Sequence, residues 1–250
     1  MPKALVHTVS PKINDCELTH LDRKPIDIDL AEQQHAAYCQ LLESHGFEVV
    51  KLCDARHHPD AVFIEDTAVV FDEFAVLTNP GAASRRGEIS ATEAELKKYR
   101  KSKRIETPAT LDGGDVVHIG NTVFVGETRR TNQEGIKAFA KMLKRYDYEV
   151  IPVNVRDCLH LKSACTAITN RSLLANPDWV NLDPFSHMNV ITVDETWAAN
   201  TIRLSDTIYL AASFPKTINQ LRELGFRVDS IDVSEFLKAE GGLSCLSIRF

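Results

Sequence analysis

Hydrophobic positions along the chain fall in short runs whose period keeps changing. Residues 4–9 form an apolar run of strand length. Residues 30–44 read as a helix with Tyr38, Leu41 and Leu42 on one face; Gly46 closes it, and residues 47–53 read as a buried strand. Residues 68–71 and 75–78 make a candidate hairpin, followed by a charged helix near residues 92–100. Residues 116–119 and 123–125 make a second hairpin, turning at Gly120-Asn121. Residues 131–145 form a helix whose Ile136, Phe139, Ala140 and Leu143 recur at helical spacing. Strands at 201–204 and 207–210, a helix at 215–224 and a strand at 226–231 follow.

A weak internal repeat runs through this pattern. A helix exit followed by aromatic-x-Val occurs at Gly46-Phe47-Glu48-Val49, Asp147-Tyr148-Glu149-Val150 and Gly225-Phe226-Arg227-Val228. Each copy closes a strand–strand–helix–strand unit of roughly 50 residues, a period typical of radial or solenoid repetition. About five such units fit the chain. A strand over residues 245–250 would pair with the N-terminal unit and close a ring; an ordinary open α/β sheet is the competing arrangement. No Ser/Gly-rich or Pro-rich linker interrupts the pattern, so residues 1–250 read as a single domain.

Composition narrows the function classes. The 250 residues are 44% hydrophobic and 26% charged, which suits a globular protein with its own core. A net charge of −6 argues against nucleic acid as partner. No apolar stretch approaches the ~20 residues of a membrane helix, and the N-terminus has no secretory run. The six cysteines show no paired framework, so reduced thiols in a cytoplasmic setting are expected.

Five segments carry candidate chemistry. In residues 60–67, the adjacent carboxylates Glu65 and Asp66 end an apolar run, and a carboxylate there can hold a planar guanidinium through parallel hydrogen bonds. Alone, Glu-Asp reads as a solvated strand end. In Leu111-Asp112-Gly113-Gly114-Asp115, paired glycines place two carboxylates about a tight bend, without the Lys-Ser/Thr ending of a phosphate loop. In residues 158–163, His160 sits between leucines, as a satisfied core histidine often does; Cys158 and His160 are weak evidence for zinc. Arg85-Arg86 and Arg129-Arg130 stand at equivalent places, after a hairpin and before a helix, where they are either surface charge or carboxylate forks. Finally, Gly241-Gly242 leads to Cys245, which is inert core unless a base or positive field makes it a thiolate.

Taken in order, FIEDTAVV, NPGAASRRGEI, LDGGDVVHIGNTVFVG, RRTNQEG, LHLKSACT, WAAN and GGLSC resemble the dimethylarginine dimethylaminohydrolase family, within the guanidine-modifying enzymes of pentein fold. The resemblance covers nearly the whole chain. It implies a five-fold α/β propeller of degenerate ββαβ units. It implies that Cys245 is a nucleophile, His160 a general acid/base and Asp112 the acidic member of a triad. Asp66, with Glu65 beside it, matches the carboxylate that holds the guanidinium. Arg85 and Arg130 match a clamp on the substrate α-carboxylate, and Phe63 a pocket wall. Asp60 and the backbones of Leu18 and Ala239 fall where the family holds the α-amine.

The activity so implied is hydrolysis of asymmetric dimethylarginine and monomethylarginine to citrulline and a methylamine, through a covalent cysteine thiouronium. No cofactor or metal is implied, and the partner is a small molecule, with the protein a monomer or homodimer. An arginine deiminase releasing ammonia is the near alternative; a non-catalytic arginine-binding relative and a zinc enzyme are the distant ones.

Overall fold

The period-two runs become strands of two to six residues, too short to build one broad sheet. The computed structural model describes residues 1–250 and arranges fifteen such strands in five three-stranded sheets. In the first, β1 (Lys3–His7) leads through helix α1 (Ile28–Ser44) to the parallel strand β2 (Glu48–Leu52). Asp27 caps α1 by accepting the Leu30 N–H at 3.1 Å. The second sheet contains the antiparallel pair β3 (Ala68–Val70) and β4 (Ala75–Leu77), then α2 (Ile89–Leu96) and the parallel β5 (Ser102–Arg104). The third repeats this order with β6 (Val116–Ile119), β7 (Thr122–Glu127), α3 (Gln133–Leu143) and β8 (Glu149–Asn154). After the one-turn helix α4 (Leu161–Ala164), the fourth holds β9 (Cys165–Ala167), β10 (Ser172–Ala175) and β11 (Asn189–Thr192). The fifth holds β12 (Ile202–Leu204), β13 (Thr207–Ala211), α5 (Pro215–Glu223) and β14 (Arg227–Ile231). A one-turn helix α6 (Ser234–Leu237) precedes β15 (Ile248–Arg249), which pairs antiparallel with β1 and supplies the first sheet's missing strand.

The five sheets close into a ring because each strand has two apolar faces. Alternate residues enter different cores: Leu5 packs against the second sheet while Ala4 and Val6 pack against the fifth. Val123 and Val125 face Phe74 and Val76, whereas Phe124 faces Cys165 and Leu173. Leu174 and Ile208 share the remaining interface. Five apolar clusters thus fill the five gaps between neighbouring blades, including the gap between last and first. Removing a fully buried ring such as Phe139 would cost about 3–5 kcal/mol.

The repeat legible in the sequence has a backbone cause. Gly46, Asp147 and Gly225 all adopt left-handed φ, at 82°, 60° and 88°, ending a helix and turning into β2, β8 and β14. Two elements differ from expectation. The helix expected at 92–100 is α2, which starts earlier because a 3-10 turn at Ala83–Glu88 runs straight into it. The strand expected at 245–250 is confined to Ile248–Arg249; Cys245 lies in a 3-10 turn, Ser244–Leu246. The fourth blade, unread in the sequence, has no α-helix between β10 and β11. Pro177 and Pro184 interrupt that stretch, and a 3-10 turn at Asp183–Phe185 replaces the helix. No helix is long and apolar enough to cross a membrane.

Ring closure defines an axis with two different ends. The first strand of each blade, β15, β3, β6, β9 and β12, lines an open cavity of about 400 Å³ at one end. The turn entering each of those strands delivers polar side chains to the other end.

Candidate active site

Each entering turn contributes to one buried pocket or its backing. Asp60, Phe63 and Asp66 come from the turn before β3, His160 from the residue before α4, and Cys245 from the turn before β15. Arg85, Arg130 and Ala239 complete the expected residues in its wall, with Glu17 and Glu240 beside them. All nine, Glu17 aside, are at most 8% exposed. The free volume is about 10 Å³, room for one water molecule.

His160 is held between carboxylates. Its Nε2–H donates to Asp112 Oδ2 at 3.0 Å, and its Nδ1 lies 3.8 Å from Asp66 Oδ1. Asp115 fixes the adjoining backbone, accepting the Leu161 N–H at 2.9 Å, while hydroxyls of Thr128 and Thr131 donate to its other oxygen. Burial alone would lower the His160 pKa, but Asp66, Asp115 and Asp112 raise it to about 9. His160 is therefore an imidazolium at neutral pH. Burial pushes Asp66 up, yet His160, Arg85 and the Gly114 N–H at 2.9 Å outweigh it and hold the carboxyl at about 2. Burial raises Asp115 to about 6. The glycines of this bend are needed for closeness: a Cβ on Gly114 would stand 2.7 Å from both Asp66 Oδ1 and His160 Nδ1.

Cys245 is a neutral thiol at rest. Burial, then Glu65 and Asp66, raise it to about 12, against the opposing pull of the Gly242 N–H, 3.4 Å from Sγ, and of Lys162. Behind it stands a closed polar network. Ser244 Oγ–H donates to Glu65 Oε2 at 2.7 Å, and Lys162 Nζ donates to Glu65 Oε1 at 2.6 Å. Asn200 Nδ2 donates to Ser244 Oγ and to the Lys162 carbonyl, both at 3.0 Å. Glu65 lines the far cavity instead of the pocket.

The pocket's other wall carries the basic residues, and the two arginines differ. Arg85 is buried among acceptors: Nε–H and Nη2–H donate to Glu88, Nη2–H also to the Phe63 carbonyl at 2.9 Å, and Nη1–H to Asp66 at 2.5 Å. Of its five N–H groups, one on Nη1 is left free for a ligand. Arg130, 7% exposed, has no carboxylate partner, and its side chain makes a single long contact, Nη2–H to Thr19 Oγ1 at 3.4 Å. Burial raises Asp60 to about 6, while its carboxylate accepts the Glu17 N–H at 3.2 Å.

Residues 17–21 cover the pocket. The Glu240 carboxylate, itself buried, accepts the N–H groups of Thr19 at 3.0 Å, His20 at 2.5 Å and Leu21 at 2.6 Å. Leu18 lies in this segment, its side chain packed against apolar core. Asp66, Asp112 and His160 bring metal-ligand atoms within 4.8 Å of one another, and an ion there would have to displace the proton that His160 shares with Asp112. Cys158, considered with His160 for zinc, instead donates its thiol to the His160 carbonyl at 3.4 Å.

The model of "N,N dimethylarginine dimethylhydrolase, eukaryotic" matches residues 8–183. The N(G),N(G)-dimethylarginine dimethylaminohydrolase of Streptomyces coelicolor is 37% identical over 249 residues, which are 99% of this chain and 96% of that one. The chain belongs to the dimethylarginine dimethylaminohydrolase family. Its pentein fold is shared with a cysteine-to-serine variant of the family's Pseudomonas aeruginosa enzyme, complexed with citrulline: TM-score 0.94, 32% identity, complete coverage of both chains. A histidine-to-glycine dimethylarginine dimethylaminohydrolase carrying an S-methyl-L-thiocitrulline adduct superposes with a TM-score of 0.93 at 32% identity, again over both whole chains.

The supporting residues around the pocket most easily overlooked in the sequence are Asp115, Lys162, Asn200, Ser244 and Glu240. Each acts through a neighbour's backbone or side chain. Asn200 and Ser244 stand in motifs that carry the family resemblance, WAAN and GGLSC, and Glu240 immediately precedes the second of them.

Proposed function

We propose that residues 1–250 form one catalytic unit that hydrolyses Nω-methylated arginines to citrulline and a methylamine. The observation that carries this reading is the charge layout of one buried pocket. A thiol and an imidazolium flank the Asp66 carboxylate, while the cation Arg130 stands without a counter-ion near Asp60. An arginine-like amino acid supplies what each lacks: a guanidinium for Asp66, a carboxylate for Arg130 and the remaining Arg85 N–H, and an ammonium for Asp60. Phe63 and the backbones of Leu18 and Ala239 bound the amino-acid end. The citrulline complex and the thiocitrulline adduct of the two relatives support the same chemistry here.

The ionisation at rest sets the order of steps. With His160 already protonated, Cys245 cannot pass its proton to it. A guanidinium arriving beside the thiol offsets Glu65 and Asp66, the charges that hold the proton on sulfur, so the proton leaves to solvent as the substrate binds. The thiolate attacks the guanidinium carbon, and Asp66 keeps the developing charge localised. His160 donates its proton to the departing amine, leaving a Cys245 thiouronium and a neutral imidazole held by Asp112. That imidazole takes a proton from water; the resulting hydroxide adds to the same carbon, and collapse breaks the C–S bond, with the hydroxyl proton passing to the departing sulfur, so that citrulline leaves and Cys245 returns to its resting thiol. Because the enclosed space holds one water molecule, substrate enters by displacement of residues 17–21. The six unpaired cysteines, with Cys53 exposed, support a reducing, cytoplasmic setting.

The deciding experiment compares asymmetric dimethylarginine, monomethylarginine and free arginine side by side, measuring citrulline and the released amine. Citrulline with stoichiometric dimethylamine is expected from the first. A higher kcat/KM for free arginine, with release of ammonia, would make the chain a deiminase.

A further inference from the structure

We infer that the far end of the ring axis is a separate binding site for a small organic anion with an apolar body. The cavity there, about 400 Å³, is of the size that encloses small ligands. Its lining is divided by sector. Lys162, Arg203 and Arg249 come from the fourth, fifth and first blades, which are neighbours in the ring. The second and third blades contribute the half-buried Val69 and Val70 and the exposed His118, with Val116 and Val117 turned largely into the neighbouring cores.

The only carboxylate in the lining is Glu65, and it is already bonded to Lys162 and Ser244. Arg249 has no carboxylate partner; its Nη1–H makes only a 3.5 Å contact to the backbone carbonyl of Arg203, so the two residues adjoin across the gap between the first and fifth blades. Arg203 reaches Asp206 at 3.3 Å, a pair whose side chains are 39% and 79% exposed and which water screens strongly. Two arginines in the lining of one cavity without a firm counter-ion, in a protein of net charge −6, are a local site for a carboxylate. The apolar surface of Val69 and Val70, with the ring of His118 beside them, adds selection for a hydrocarbon or aromatic body over a bare inorganic anion. Glu65 and Lys162 form the partition from the catalytic pocket, so an occupant here does not overlap the substrate.

The test uses benzoate, its neutral isostere benzamide, and inorganic phosphate, with binding read by ligand-detected NMR and equilibrium dialysis at constant ionic strength. Saturable benzoate binding is expected, with benzamide and phosphate weaker. Arg203→Gln should weaken benzoate by about tenfold, the loss of one charge-assisted hydrogen bond, and Arg203→Gln with Arg249→Gln should abolish it. Saturating citrulline should not displace benzoate, because citrulline takes the other pocket. Equal binding of benzamide, displacement by citrulline, or full benzoate binding in Arg203→Gln would each overturn the proposal. Arg203 is exposed, so this single variant keeps the fold even if replacement of Arg249 on the closing strand does not. The readout is binding and stands whether or not the catalytic assignment holds.

Discussion

The two ends of the ring axis meet the same five inner strands and have opposite characters. One end is closed, about 10 Å³, and crowded with carboxylates around a histidine and a thiol; the other is open, about 400 Å³, and mixes cations with valines. The difference arises at the entering turns. A strand must satisfy its backbone with neighbours, so its side chains vary without altering the ladder. A turn has free N–H groups, and here they are given to carboxylates: Gly114 to Asp66 and Leu161 to Asp115, while Gly81, in the turn after β4, gives its N–H to Asp112. Ionised groups can therefore be buried at one end and stay solvated at the other.

Substitutions at the closed end should have large effects on chemistry, and those at the open end almost none. The largest is Cys245→Ser, expected to reduce citrulline formation about 10⁴-fold or more; normal turnover in this variant would remove the distinction altogether. Next is Asp112→Asn. It should lower kcat by about 10²–10⁴-fold through loss of the His160 partner. It should also shift the alkaline limb of the rate profile. In the unaltered protein that limb is expected near pH 9, where His160 loses the proton needed by the leaving amine. The same raised pKa makes a stability contribution that is complete below pH 6.5 and disappears as pH climbs through 9, so thermal unfolding across this window should steepen with pH and flatten in Asp112→Asn.

A smaller effect is expected at the amino-acid end. Arg130→Gln should raise KM by about 10–100-fold with kcat nearly unchanged. A fall in kcat alone would mean that Arg130 positions the reacting carbon instead of the carboxylate. Glu240→Ala should release the Thr19, His20 and Leu21 amides, seen as faster hydrogen exchange at those three positions and a KM change within about tenfold. At the open end, Arg203→Gln should leave kcat and KM within about twofold. A larger change would mean that the Glu65–Lys162 partition transmits between the ends.

The sequence showed the ring where helices announce themselves. The left-handed exits at Gly46, Asp147 and Gly225 produce a visible repeat, whereas the fourth blade leaves no such mark because its crossover has no α-helix. The pocket residues Asp66, His160 and Cys245 stand in motifs legible in order along the chain, and Asp60 lies just ahead of the first. Their ionisation was not, because it depends on contacts between distant turns: Asp66 with Arg85, or His160 with Asp112. The unequal standing of Arg85 and Arg130 was hidden for the same reason. Glu88, which occupies three of the Arg85 donor contacts, looks like one more surface charge in the sequence.

Pairing of Ala4 with Arg249 and Leu5 with Ile248 joins segments from opposite extremes of residues 1–250, and the turn carrying Cys245 is anchored by that pairing. Four blades can assemble from neighbouring stretches; the first cannot until this distant strand arrives. The turn of Cys245 is therefore set in place by the contact that seals the fold. A refolding chain would recover helix and strand signals before any turnover. Fraying of two residues at β15 would silence the enzyme while leaving most of its structure in place.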